Sequence, residues 1–198
     1  MAEIRNVDLF LASSIKEFKE ERRDVAAFVN ELGGLYRDRM TLRCVLSDYQ
    51  STEAIPGGKQ TLFDDQIRQS QLFYLLIGKK LGKISLHEYE VAWQARCEQG
   101  SPGVFPWFLE LPDEERDDSV RDFLRAFRED EDGSQYSATF AHIDTVKLLL
   151  DRYFLKIGEL GSDDVKTRRA ALQTQCEAIM NEESRQWREL LTEAKKNG

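Results

Sequence analysis

The stretch Leu72-Phe73-Tyr74-Leu75-Leu76-Ile77-Gly78 decides the fold. Its residues before the glycine are all apolar, so the run has no polar face. Side chains alternate sides along a strand, and a run that is apolar on both sides needs cover on both. That is the environment of a central strand in a parallel sheet. The neighbouring segments supply the cover. Residues 79–84 form a basic loop containing Gly82, and residues 85–99 carry Leu86, Tyr89, Val91, Ala92, Trp93 and Ala95 at helical spacing. Gly100 to Gly103 breaks that helix, and residues 104–111 (VFPWFLEL) read as a further strand. Pro106 within it favours a sheet edge or a bulge, because proline offers no N–H to a ladder.

Upstream, residues 62–70 read as a short helix with Leu62, Phe63 and Ile67 on its apolar face. Before it lies a loop, residues 47–60, marked by Pro56-Gly57-Gly58. Residues 42–46 (LRCVL) read as a strand. Residues 15–32 read as a helix with Phe18, Val25, Phe28, Val29 and Leu32 inward and Lys16, Glu17, Lys19, Glu20, Arg22 and Arg23 outward. Ser14 is its expected N-cap, Glu17 completes a capping box, and Gly33-Gly34 is its expected end. Residues 7–12 (VDLFLA) form the first strand.

Residues 1–111 thus alternate strand and helix, which implies an α/β, flavodoxin-like parallel sheet with helices on both faces. Ligands of such sheets sit at the carboxyl ends of the strands. That rule gathers Ser13-Ser14, Ser47-Asp48 and Gly78-Lys79-Lys80 at one mouth. Residues 112–198 read as a helical extension. Val120, Phe123, Leu124 and Phe127 mark an acidic helix against the sheet, and residues 143–157 a Leu-rich one. Residues 165–196 suggest a long charged helix whose thin stripe includes Leu172, Cys176, Ile179 and Trp187, suited to a single neighbour or a further domain.

Of 198 residues, 41% are hydrophobic and 32% charged, with a net charge of -8. An acidic average surface repels a phosphate backbone, so no direct nucleic-acid partner is expected. No signal peptide is evident, and no apolar stretch nears the ~20 residues needed to span a bilayer, so no membrane partner is expected either. Cys44, Cys97 and Cys176 are scattered, without metal-ligand spacing, and read as reduced thiols of a cytoplasmic protein with no metal site. His87 and His142 read as surface or interface histidines, and Lys79, Lys80 and Lys83 as a solvated basic loop.

Chemistry is most concentrated in Leu81-Gly82-Lys83-Ile84-Ser85-Leu86-His87-Glu88-Tyr89-Glu90-Val91-Ala92. Two readings of Glu88 are open. With Ser85 as N-cap it is the capping-box acid of its own helix. Alternatively, from the first turn at the mouth, its carboxylate steadies positive charge at a ribosyl carbon. A single acid suffices there when the leaving group is already a cation and needs no proton. Glu90, about 200° further round the helix, would face away.

Asp8-Leu9-Phe10-Leu11-Ala12-Ser13-Ser14 followed by Glu17-Phe18-Lys19-Glu20-Glu21-Arg22 resembles the opening of the TIR-like domains found at the N-termini of bacterial STAND-type NTPases and related immune proteins. Leu76-Ile77-Gly78-Lys79-Lys80-Leu81-Gly82-Lys83 running into Ser85-Leu86-His87-Glu88-Tyr89-Glu90-Val91-Ala92 is similar to that family's strand, glycine loop and Glu-bearing helix start. The resemblance spans roughly residues 5–111. It implies an NAD+-cleaving effector of bacterial antiviral defence, a glycohydrolase or cyclase, with NAD+ as substrate and no cofactor. It implies Glu88 as the catalytic glutamate, with Ser13, Ser14, Asp48, Gly78 and Lys79 around the nucleotide. It also implies a homo-oligomer when active and a C-terminal sensor or NTPase domain. The alternative it leaves is a TIR-like module that self-associates or senses a nucleotide without turnover. A third reading is a nucleoside-modifying enzyme, since nucleoside deoxyribosyltransferase-like folds also set a Glu on a similar sheet to attack a ribosyl centre.

Overall fold

The apolar run forms β3, Leu72–Ile77, and all of its residues are buried. In this computed structural model, which describes residues 4–37, 40–47, 58–129 and 138–157, β3 is flanked by β1, Arg5–Ser13, and β4, Gly103–Leu109. With β2, Met40–Leu46, and β5, Ala138–Phe140, the described residues build a five-stranded sheet in the order β2-β1-β3-β4-β5. Every pairing is parallel, with Leu9 opposite Leu72, Leu72 opposite Gly103 and Asp8 opposite Arg43. The chain is α/β and flavodoxin-like. The acid inside β1 is accounted for by its neighbour, since the Arg43 guanidinium donates to both Asp8 oxygens at 3.0 and 2.6 Å.

Strand alternation sorts the core. Phe10, Ala12, Phe73, Leu75, Ile77, Val104 and Phe108 share one face. They pack with Phe63 and Ile67 of α2 (Gly58–Gln69), with Val91 and Ala92 of α3 (Lys83–Gln99) and with Val120 of α4 (Asp118–Glu129). The buried apolar residues of α1 (Lys19–Tyr36) are Val25, Val29, Leu32 and Tyr36, none of them in that cluster; α1 covers the other face and packs on β2. Each fully buried Phe or Leu contributes about 1.5–3 kcal/mol of hydrophobic stabilisation.

Several expected boundaries shift, each for a visible reason. The helix expected over 15–32 is α1, Lys19–Tyr36. Ser14 does not cap it: residues 15–17 form a turn closed by the Phe18 N–H on the Ser14 carbonyl at 2.9 Å, and Phe18 holds the cap position without a side-chain bond. The Glu17 carboxylate, expected to reach back, instead accepts the backbone N–H of Lys79. Gly33-Gly34 does not stop the helix, because Leu32 and Tyr36 lie four apart on the same buried stripe and Gly33 faces Leu42 of β2. That packing outweighs a glycine cost of about 1 kcal/mol.

Pro106 does not mark an edge. β4 lies between β3 and β5, and β5 pairs only from Trp107 onward, so the proline sits beyond the end of that ladder. After α4 the chain returns to the sheet at Ala138–Phe140, and the first compact unit is Met1–Ala141. The second unit is His142–Gly198. In it α5, Ile143–Ile157, buries Val146, Leu150 and Phe154 along one stripe. The long helix expected over 165–196, Cys176 and Asp48 lie outside the described residues. Among the described residues no helix is long and apolar enough to cross a membrane.

Candidate functional site

The order β2-β1-β3 means that the chain leaves β1 in one direction and later returns on its other side. At such a switch point the connections after adjacent strands diverge and leave a crevice above their carboxyl ends. A cavity of about 350 Å³ lies there, lined by Ser13, Ser14, Ile15 and Lys16 after β1, by Ser47 after β2, and by Gly82, Lys83, Ile84, Ser85 and Glu88 at the start of α3. Its volume is near the low end for small-molecule sites.

The local reason for Glu88's position is where α3 begins. Gly82, extended at φ -74° and ψ 154°, is the residue before the helix, so Lys83 starts it and Ser85 lies within the first turn. The helix closes with the Leu86 N–H on the Gly82 carbonyl at 3.0 Å. Ser85 is therefore not an N-cap, Glu88 is not its capping-box partner, and Glu88 belongs to the second turn rather than the first. Ser85, Glu88, Val91, Ala92 and Ala95 form the buried stripe of α3. Glu88 thus stands on the face turned toward the sheet, 1% exposed, one turn above Val91 and Ala92. Glu90 is exposed. A carboxylate removed from bulk water is expensive to keep, and this one borders a cavity rather than a packed core.

Ser13 and Ser14 line the cavity with Glu88. Asp48 lies outside the described residues, though the preceding Ser47 is part of the wall. Gly78 and Lys79 are not in the lining. Glu17, itself outside the lining, covers them: its carboxylate takes the Lys79 N–H and sits so close over Gly78 that a Cβ there would collide with it. The Lys79 ammonium pairs with Glu115 at 2.7 Å, and its carbonyl accepts the Asp117 N–H at 2.8 Å. The loop after β3 is thus tied to the approach to α4. His87 points to α2, its Nε2 3.1 Å from both Asp64 carboxylate oxygens, and is not part of the wall.

The residue that sequence periodicity misplaced is Arg22. Expected on the solvent side of α1, it is 4% exposed. Its Nη1 donates to the Ser13 hydroxyl at 3.0 Å and to the Ser13 carbonyl at 3.4 Å, and its Nη2 donates to the Ser47 carbonyl at 2.8 Å. One guanidinium therefore holds the ends of β1 and β2 side by side beneath the cavity. Cys44 of β2 feels the same charge: burial pushes its thiol up to about 12, and Arg22 pulls in the opposite direction.

No family model matches the sequence, and no curated protein matches it. Among solved structures the chain is similar to the CMP N-glycosidase BcmB of Clostridium botulinum, at 16% identity, covering 74% of this chain and 99% of that one with a TM-score of 0.46.

Proposed function

We propose that the chain is an N-ribosyl hydrolase of TIR-like type that cleaves NAD+ to nicotinamide and ADP-ribose, with Glu88 as its catalytic carboxylate. The observation that carries the reading is the position of Glu88: a buried carboxylate on the wall of a cavity at the sheet's switch point, ringed by Ser13, Ser14, Ser47 and Ser85. The bond that breaks joins the ribosyl anomeric carbon to the pyridinium nitrogen. Its electron pair leaves with neutral nicotinamide, so no proton donor is required at the leaving group. Positive charge grows on the ribosyl carbon, and a fixed carboxylate beside it lowers that barrier without reorganising. Water then adds to the carbon and releases a proton. The serines offer hydroxyls to the ribose and phosphate oxygens. Lys16 and Lys83, both exposed at the cavity, add positive charge to a molecule that is negative on average.

The test is nicotinamide release from NAD+ by concentrated or artificially clustered protein, with Glu88→Gln as control. Removing a group that stabilises the transition state costs about 10²–10³-fold in rate, so the variant should lose at least that while melting like the parent. Wild-type protein that leaves NAD+ intact, or a Glu88→Gln protein as fast as wild type, would sink the proposal. Saturable NAD+ binding without turnover would favour a nucleotide-sensing module in its place.

A further inference from the structure

Arg22 is a buried cation that helical periodicity assigned to solvent, and its bonds have a consequence for the cavity. A serine hydroxyl has one proton to give and two lone pairs to receive with. At Ser13 a lone pair takes the Arg22 Nη1–H at 3.0 Å. A guanidinium has five donors and no acceptor, so the hydroxyl proton cannot turn back toward Arg22. Both nearby strand-end carbonyls are already engaged by the same guanidinium, that of Ser13 at 3.4 Å and that of Ser47 at 2.8 Å. Among the described residues none accepts the Ser13 proton, and Ser13 borders the cavity.

We infer that Arg22 is a positioning residue that turns Ser13 into a one-way hydrogen-bond donor aimed into the cavity, for an acceptor oxygen of a ribonucleotide. The inference rests on the cavity being the nucleotide site proposed above. A positive donor on Oγ also polarises the O–H and strengthens what it gives, as charge-assisted bonds generally do. Lysine cannot replace this arrangement. The planar fork spans Ser13 and Ser47 at once, whereas an ammonium is a single point on a flexible stem. The arrangement also explains why a cation sits in the inward part of α1, between an apolar stripe and two strand ends, where an ordinary surface arginine gains nothing.

The experiment is a double-mutant cycle on NAD+ affinity, measured by calorimetry in a Glu88→Gln background so that ligand is not consumed. Ser13→Ala should weaken binding about tenfold, equivalent to about 1.4 kcal/mol. Arg22→Lys should weaken it comparably, and the combined variant should bind no worse than about the Ser13→Ala protein, because the arginine acts through that hydroxyl. A merely structural arginine would lower the melting temperature in both backgrounds but leave affinity uncoupled from Ser13. Losses that multiply to about a hundredfold, or an Arg22→Lys protein that binds like its parent, overturn the inference. So does Ser13→Ala binding NAD+ unchanged, a result that holds even if the Arg22 variant fails to fold. A Glu88→Gln parent that binds no NAD+ removes both proposals. Coupled binding alongside a wild type that never releases nicotinamide keeps this one and removes only the enzyme.

Discussion

At the scale of single residues, side chains do different work from that suggested by their local sequence. Glu17 sits where a capping box would place its carboxylate on Ser14, yet it crosses to the loop after β3 and takes the Lys79 N–H. Gly78 is glycine because that carboxylate lies against it. The obstacle is the end of a flexible side chain, so Gly78→Ala should not break the fold; it should expel the carboxylate and lose its bond. Charge-assisted hydrogen bonds contribute about 1.5–3 kcal/mol, and a urea titration of Gly78→Ala should show a loss near the lower figure. In a Glu17→Ala background the glycine substitution should cost far less, and equal penalties in both backgrounds would disprove the account. Cys44 provides a second test. Its thiol is pushed up to about 12 by burial, against an ordinary value of 9.0. Peptide mapping after brief alkylation at pH 8 should find the exposed Cys97 modified and Cys44 spared until denaturant is added. Between pH 9 and 12 the unfolded chain holds fewer protons than the native one at this site, so stability falls as pH rises through that window.

At the scale of elements, the start of α3 decides what the cavity presents, and the start of α4 adds a pH-dependent cap. Gly82 starts α3 early enough to carry Glu88 onto the buried stripe. Asp117 starts α4, its Oδ1 accepting the Ser119 N–H at 3.0 Å. The Ser119 backbone bond, then its side chain, then Lys80 and Arg121 hold the Asp117 carboxyl below its ordinary 3.8. A lowered carboxylate stabilises the native state above that value, and the contribution disappears as pH falls through the native one. Asp117→Ala should therefore lower the melting temperature at pH 7 and change it little near pH 2, as paired calorimetric scans would show. The elements also mark what could be read in advance. Long periodic segments were legible, and α5 has the expected limits of 143–157. The alternation of β1 to β4 was legible because each strand is apolar enough to stand out. β5 was not: Ala138–Phe140 is too short to show a period, and its absence turned Pro106 into a false edge. Arg22 was illegible for a related reason, since a helical stripe assigns an arginine to water and only the ends of β1 and β2 reveal the acceptors that keep it inside. Glu88 was legible as a candidate, but whether it capped its helix or faced a hollow depended on Gly82 rather than Ser85 preceding the helix.

At the scale of the whole molecule, the cavity wall comes from three connections that are distant in sequence: the turn after β1, the residue after β2 and the start of α3. Each is anchored to a rigid part of the sheet, β1 and β2 through Arg22 and α3 through the apolar stripe below Glu88. A ligand in this cavity would touch all three at once, so its binding energy would be shared among them. For Glu88→Gln protein with NAD+ at 100 times its Kd, linkage requires about 2.7 kcal/mol of added stability. Hydrogen exchange shows where that stabilisation is felt. Amides of residues 14–18, 47 and 82–86 should slow together on addition of NAD+, while α5, in the second compact unit, should slow only as far as global unfolding does. Protection confined to one of the three connections would mean that the ligand lies on the surface beside the crevice. Protection centred on the second unit would move the binding site off the switch point altogether, and Glu88 would then be a buried acid without a substrate.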